Sequence, residues 1–510
     1  MNPSKIYHSL LVFCCALLVL SCNKSNRKPP AEKSKPNFVF ILVDDMGWRD
    51  VGAYGSTYYQ TPNIDNLAKQ GMKFTDAYAA CPVCSPSRYA IQTGKYPADI
   101  HLTDWIPGRQ AYHKPDPWNK LVPKPFQLFM PLSEITIGEA MKSMGYNTFF
   151  AGKWHLGEDS LHWPSYQGYD INEGGWKAGN PKAGGMGGYF SPYHNPKMKD
   201  GPKGEYLPDR LTSETIKFIE QETKEKNPFF AFLSFYSVHQ PIEAKPEMLQ
   251  ENKKRAEEMG LTEKKTYITN KPWMKYKKGW KERIVQSNPV YGSMVESVDQ
   301  NVGRIMDKLK ALNIDQNTVV FFFSDNGGLS TAEGSPTSNL PLRGGKGWMY
   351  EGGIREPLIV KWPGTIDPGS VSHIPVVGVD FYPTLLEMAG IQMNTHAIDG
   401  RSLMPILDGS QPQAYENRPL FWHYPHYANQ GSTPASAVRK GDYKLIKFWE
   451  DQHVELYNLK EDIGEQHDLA QDQPEKTAEL KKLLNNWLDS VNARIPDKNP
   501  NYDPNYMSGK

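Results

Sequence analysis

The sequence predicts an α/β fold, with a large central sheet flanked by helices and a small C-terminal antiparallel sheet carrying one packed helix. Three observations carry this. Unbroken apolar runs alternate with stretches of helical periodicity. The apolar runs do not alternate with polar residues, which suits strands buried on both faces of a sheet. Near residue 410 the texture changes to short alternating strands.

The elements follow in chain order. Lys5 precedes an apolar stretch, Leu10 to Leu20, that is too short for an ordinary membrane span and reads as an export signal. It closes on Val19-Leu20-Ser21-Cys22, so residues 1–21 resemble a lipoprotein signal peptide with Cys22 as the lipidated residue. Residues 22–35 are polar and contain proline, which suits a flexible tether. The body then divides into a main domain, 36–409, and a C-terminal subdomain, 410–510. No later apolar run reaches membrane-spanning length.

Asn37 opens the first buried run, Phe38–Val43, which closes on Asp44 and Asp45. "TVVFFFSDN" (318–326) has the same form, and "PFFAFLSFYSVHQP" (228–241) and "YNTFFA" are further runs. Between them, Met294, Val295, Val298, Val302, Ile305, Met306 and Leu309 keep to one helical stripe. "IDNLAKQG" and "IGEAMKSMG" each end at a glycine that suits a helix stop. Past residue 410, "AVRK" and "YKLI" flank a Gly-Asp turn, "HVELYNL" follows, and a helix after Pro474 presents Leu480, Leu483, Leu484, Trp487, Leu488 and Val491 on one face.

Charge and cysteine content exclude several classes. Lys and Arg number 58 against 57 Asp and Glu, a net charge of +1, so nothing directs the chain to nucleic acid. Three of the five cysteines lie in the leader, leaving Cys81 and Cys84 in the body. Two cysteines do not make a disulfide scaffold. A zinc half-site would need a second ligand pair, and no βαβ context supports a thioredoxin-type pair.

The chemistry-bearing residues follow the buried runs. Asp44-Asp45 and Asp325-Asn326 end two of them, and ligands of open α/β sheets gather outside the carboxyl ends of strands. Alone, each pair reads as a turn cap. Together they suit a cation, because unpaired carboxylates brought together resist ionisation. All-oxygen ligands select Ca²⁺ or Mg²⁺ over zinc. Lys153 and His155 in "GKWHLG", His239, and Lys346 in "GGKGWMYEGG" add positive or protonatable groups, which suits an anion site beside the metal. The Lys346 segment is not a phosphate loop, since position 340 is Leu and Gly347 follows the lysine.

Cys84-Ser85-Pro86-Ser87-Arg88, followed by "YAIQTGKYP", resembles the signature of the formylglycine-dependent (type I) sulfatases. The resemblance extends from about Asn37 to about Val491. It includes "LVDDMGW", "TPNIDNLAKQGMKFTDAY", "GKWHLG", "SDNGG", "RGGKGWMYEGGIREP" and "AVRKGDYKLI…ELYNLKEDIGEQHDLA". It implies an alkaline-phosphatase-like sandwich with a large mixed sheet, and an enzyme that hydrolyses sulfate esters. It further implies one Ca²⁺, with Mg²⁺ as the alternative, held by Asp44, Asp45, Asp325 and Asn326. Cys84, oxidised to formylglycine by a maturation enzyme, is then nucleophile and metal contact. Arg88 holds its hydroxyl, Lys153 and Lys346 bind sulfate, His155 helps regenerate the aldehyde, and His239 binds sulfate and protonates the leaving oxygen. The aldehyde hydrate carries two hydroxyls: one attacks sulfur, and loss of a proton from the other expels sulfate.

Two loop-like segments, 99–120 and 158–190, carry Trp, Tyr, His, Arg and Lys, and suit the rim of a sugar pocket. Trp105, Arg109, Trp163, His423 and His426 are the candidate sugar contacts. The expected substrate is a sulfated glycan, algal (ulvan, carrageenan) or a glycosaminoglycan, and the expected location is periplasmic or at the outer membrane through a lipid anchor. Rival readings are a formylglycine-dependent phosphonate or phosphate ester hydrolase, and a glycan-binding lipoprotein whose site has decayed.

Overall fold

A computed structural model describes residues 35–108, 116–269, 273–274, 280–391 and 398–506. The expected signal peptide, the expected tether up to residue 34, Cys22 and Arg109 lie outside the described residues. The main sheet takes β1 (Asn37–Val43), β2 (Met72–Tyr78), β3 (Asn147–Gly152), β4 (Ile171–Glu173), β5 (Phe229–Ser234), β6 (Thr318–Ser324), β7 (Arg355–Lys361), β8 (Ser370–Ser372) and β9 (Val376–Val377). Their order is β8-β2-β7-β6-β1-β5-β3-β4, with β9 also paired to β2. Neighbours run parallel except at β7, which is antiparallel to both β2 and β6.

The apolar runs have the cause expected of them, because both faces of the sheet are covered. Val39, Ile41 and Val43 of β1 pack on one side with α1 (Pro62–Gln70), α4 (Leu207–Glu225) and α5 (Pro289–Ala311). Phe38, Phe40 and Leu42 pack on the other with α2 (Cys84–Thr93), α3 (Ile137–Ser143) and α6 (Phe381–Met388). Phe40 stacks between Phe232 (4.8 Å) and Phe321 (5.5 Å), a three-strand aromatic ladder. Truncating such a ring to alanine costs about 3–5 kcal/mol. In α5 the stripe from Met294 to Leu309 is buried, with Met306 partly so. Asn288 caps it by accepting hydrogen bonds from the Val290 and Tyr291 amides.

The second sheet joins β10 (Leu420–Tyr424), β11 (Ala435–Lys440), β12 (Tyr443–Phe448) and β13 (Val454–Asn458) as antiparallel neighbours. Gly441 takes φ 58° in the β11–β12 turn, a left-handed conformation that favours glycine. Helix α7 (Pro474–Ser490) buries Leu480, Leu484 and Leu488 against it, and Trp487 stacks on Phe421 at 4.7 Å. This core continues into the main body through Tyr78, Trp348 and Ile354. No described helix is long and apolar enough to cross a membrane.

Candidate active site

Strands β1, β2, β3, β5 and β6 share one direction, so their carboxyl ends meet at one edge. That edge receives Asp44-Asp45 from β1, Lys153 and His155 from β3, His239 from the segment after β5, and Asp325-Asn326 from β6. After β2 the chain turns into α2, whose first residue is Cys84. Backbone hydrogen bonds set the loops against each other: Asp44 N donates to Ser237 O (2.8 Å) and Asp325 N to Val43 O (3.1 Å). Gly152 has φ 99°, and a Cβ there would lie 1.8 Å from the Ser234 carbonyl oxygen, so only glycine lets Lys153 leave β3 toward the site. Asp45 and His155 themselves adopt φ 62°. Non-glycine residues pay about 1–3 kcal/mol for such conformations, which persist where surrounding structure enforces them.

Asp44, Asp45, Asp325 and Asn326 are fully buried. One carboxylate oxygen from each aspartate lies within 4.8 Å of the others. Asn326 Nδ2 donates to Asp45 Oδ1 (2.7 Å), and the Asp45 amide donates to Asp325 Oδ1 (3.2 Å). Asn326 Oδ1 and Asp44 Oδ1 have no hydrogen-bond donor among the described residues. Burial pushes Asp44 well above the usual carboxylate range; Lys153 opposes this, while Asp325 and Asp45 add to it. Burial acts on Asp45 as well, but Lys346 and His239 outweigh it and hold that carboxyl below its ordinary value. Buried oxygens without donors, in an all-oxygen set with mutual repulsion, fit a hard divalent cation.

Three cations surround the three carboxylates. Lys153 Nζ lies 2.7 Å from Asp44 Oδ2, and Lys346 Nζ 2.7 Å from Asp45 Oδ1. Arg88 donates through Nε to Asp325 Oδ2 (2.8 Å) and through Nη1 to the Lys153 carbonyl and Ser234 Oγ (both 2.7 Å). The floor is thus balanced in charge, and a divalent ion would make it strongly attractive to an anion.

Cys84 Sγ lies 3.3 Å from His155 Nδ1. The other ring nitrogen, Nε2, faces the Ile106 carbonyl, which only accepts, so the proton sits on Nε2 and the Nδ1 lone pair faces residue 84. Burial, with Lys153 and Arg88 near, keeps His155 well below the ordinary imidazole range, and it is neutral. His239 Nδ1 donates to the Gln240 carbonyl (2.6 Å), leaving Nε2 toward the site, 3.7 Å from Asp45 Oδ2. Burial and Lys346 hold His239 down too, against the pull of Asp45. Cys84, His155, His239 and Lys346 all line one pocket of about 480 Å³.

The sulfatase family profile matches residues 36–391, and the profile described as "N-sulphoglucosamine sulphohydrolase, C-terminal" matches 345–494. The chain belongs to the sulfatase family. A "Sulfatase" of Formosa agariphila is 32% identical over 96% of this chain and 95% of its own length. The N-acetylgalactosamine-6-sulfatase of Canis lupus familiaris is 32% identical over 81% of this chain and 72% of that one. The crystal structure of Ps i-CgsB in complex with k-i-k-neocarrahexaose is similar at a TM-score of 0.69 and 28% identity, covering 89% of this chain and 92% of that one. The chain is therefore a sulfatase enzyme with the alkaline-phosphatase-like mixed-sheet fold.

The expected sugar contacts of this sulfatase fare differently. Trp105 lines the pocket. His423 and His426 are not among its lining residues. His423 is buried, with Nδ1 2.7 Å from Ser436 Oγ and Nε2 3.2 Å from the Arg494 carbonyl. His426 is buried with Nε2 2.8 Å from Thr103 Oγ1. Trp163 also stands off the pocket: its Nε1 donates to the Gly157 carbonyl, and Lys197 covers the ring at 5.0 Å. Asn429 and Gln430, in the segment after β10, line the pocket instead. Lys177 comes from the 158–190 segment expected at the rim; sequence reading missed Asn429 and Gln430, and also Ser234 and Glu333. Only Ser234, at the end of an apolar run, had a visible signal.

Proposed function

We propose that this sulfatase removes sulfate ester groups from a sulfated polysaccharide or its oligosaccharides, with residue 84 as formylglycine and one Ca²⁺ held by Asp44, Asp45, Asp325 and Asn326. The observation that carries the reading is the meeting of Cys84, His155, His239 and Lys346 on one pocket, with Lys346 and Lys153 paired to the buried acidic cluster behind them. Bound there, Ca²⁺ would supply positive charge to sulfate oxygens and to the group at residue 84. Formylglycine, as its hydrate, would supply an oxygen nucleophile in place of a soft sulfur.

The chain's own side chains account for the rest. Lys153 and Lys346 offer positive charge to the sulfate oxygens. His155 Nδ1 takes a proton from the group at residue 84. Arg88, fixed on Asp325, Ser234 and the Lys153 carbonyl, steadies the residue-84 hydroxyl and the floor together. His239 delivers a proton from Nε2 to the departing oxygen; a bound anionic ester offsets the burial and the Lys346 charge that keep the empty imidazole neutral. Trp105 offers an aromatic face at the rim for a sugar ring.

The named relatives support a glycan substrate: one acts on N-acetylgalactosamine sulfate, another is bound to a carrageenan-type hexaose. Carrageenan, ulvan and glycosaminoglycan fragments are the substrates to try. Export as a lipoprotein through Cys22 and maturation by a formylglycine-generating enzyme belong to the same reading. Sulfate release from these glycans, with paired phosphate monoesters as controls, tests it. Release by wild type and loss in Cys84→Ala is expected. Equal activity in Cys84→Ala, or turnover of phosphate esters alone, contradicts it.

A further inference from the structure

His155 is held on three sides. Nδ1 lies 3.3 Å from Cys84 Sγ, and Nε2 donates to the Ile106 carbonyl. The third side is Gly179, which lines the pocket. A Cβ there would lie 2.5 Å from His155 Cε1, 2.7 Å from Nε2 and 3.0 Å from Nδ1. The ring therefore rests against the bare backbone of Gly179 through the edge that carries both nitrogens. Gly179 has no positive φ, so an alanine suits the backbone and glycine serves space alone. The same segment ties down the His155 backbone, whose amide donates to the Trp176 carbonyl (3.2 Å).

The Ile106 side has its own support. The Ile106 amide donates to Ser85 Oγ (3.1 Å), and Ser85 is fully buried beside residue 84. A closed circuit results: residue 84 is bonded to Ser85, Ser85 holds Ile106, Ile106 holds His155, and His155 faces residue 84. The partner of one ring nitrogen decides what the other can do. We infer that Gly179 and Ser85 are positioning residues for His155: Gly179 leaves room for the imidazole beside residue 84, and Ser85 holds the carbonyl that keeps the Nδ1 lone pair on that residue. This rests on the role given to His155 in the reading above. There, Nδ1 takes the proton of the remaining hydroxyl at residue 84, and that oxygen becomes the aldehyde oxygen. The bond from carbon to the sulfate oxygen breaks, sulfate leaves with the electron pair, and the imidazolium returns its proton to solvent. The three heavy atoms nearest a methyl at position 179 all belong to His155, so that methyl displaces the base first.

The test compares wild type, Gly179→Ala and Ser85→Ala on an aryl sulfate and a sugar sulfate, with rates expressed per chain bearing the aldehyde at residue 84. In Gly179→Ala, kcat should fall roughly a hundredfold, because a small misplacement of the base slows sulfate release. The first step sets kcat/KM, which should stay within about threefold, so KM falls with kcat. Both substrates should then share one kcat and show a burst of about one alcohol per site. Ser85→Ala should behave alike with a loss of about tenfold. In a His155→Ala background neither change should cost more than about twofold further, since the base they serve is gone. A crystal structure of Gly179→Ala should show the imidazole displaced by about 0.5 Å or more. An unmoved ring, full additive losses in the His155→Ala background, or a kcat that keeps its wild-type dependence on the leaving alcohol overturns the assignment and leaves the sulfatase reading intact. Wild type that turns over with an unmodified thiol at residue 84 overturns both. Gly179 lies outside the cysteine motif, so its variant carries the test where Ser85→Ala matures poorly.

Discussion

Two buried charge clusters in this protein each set three acids against three bases and have opposite uses. At the floor of the pocket, Asp44, Asp45 and Asp325 face Lys153, Lys346 and Arg88. Where the two sheets meet, Asp76, Glu351 and Glu465 face Arg355, Arg439 and Lys444. In the junction cluster every carboxylate oxygen has a partner. Lys444 Nζ bridges Glu351 Oε1 and Glu465 Oε1 at 2.9 Å each. Glu351 Oε2 accepts from Tyr78 OH, and Glu465 Oε2 from the Glu351 amide (both 2.7 Å). Arg439 and Arg355 take the two oxygens of Asp76. In the site cluster, Asp44 Oδ1 and Asn326 Oδ1 accept no hydrogen bond among the described residues, and Lys346 joins the buried carboxylates to the pocket it lines. Burial of charge is common to both; spare acceptors behind a pocket wall distinguish the site.

The comparison can be broken most severely at the floor. Asp325→Asn keeps the side-chain shape but removes a charge that anchors Arg88, and sulfate release should fall roughly a thousandfold. Undiminished release in that variant would show that the floor is merely structural. Lys444→Ala is the matching lesion at the junction. It strands two buried carboxylates and should cost about 3–5 kcal/mol, read from the urea midpoint, with turnover of the remaining folded protein retained. Addition of Ca²⁺ sharpens the contrast. At a hundredfold over its Kd it should stabilise wild type by about 2.7 kcal/mol. Lys444→Ala should keep that gain, and Asp325→Asn should lose it.

The smallest effect concerns pH. Burial pushes Glu465 up to about 7 from an ordinary 4.5, with Lys444 opposing. The folded protein therefore holds that proton more tightly than the unfolded chain does. Its contribution to stability is present below about 4.5 and is lost as pH rises through about 7. Glu465→Gln should flatten this part of the stability profile, measured by denaturation between those limits, and leave the pH dependence of turnover unchanged.

The floor was legible in the sequence because each of its residues follows a buried run or sits in a motif, and parallel strands deliver such residues to one edge. Phe38–Val43 could be read as buried on both faces since no polar residue interrupts it. The antiparallel course of β7 was not legible, because "REPLIVK" carries no mark of direction. Trp105 lines the pocket as expected, whereas His423, His426 and Trp163 do not, for a related reason. His423 sits in β10, where neighbouring strands and the Arg494 carbonyl consume both ring nitrogens, and a polar aromatic looks the same in sequence whether it faces a ligand or a neighbour. Glu333 and Gln430 meet across nearly a hundred residues, and no local pattern announces such a pair. The junction cluster was invisible likewise, since Glu351, in the short helix before β7, and Lys444, in β12, stand 93 residues apart.

Mass analysis of the proteolytic peptide carrying residue 84, taken from protein that releases sulfate, bears most directly on the central claim. The account predicts an aldehyde or its hydrate at position 84. An unmodified thiol in fully active protein would contradict it.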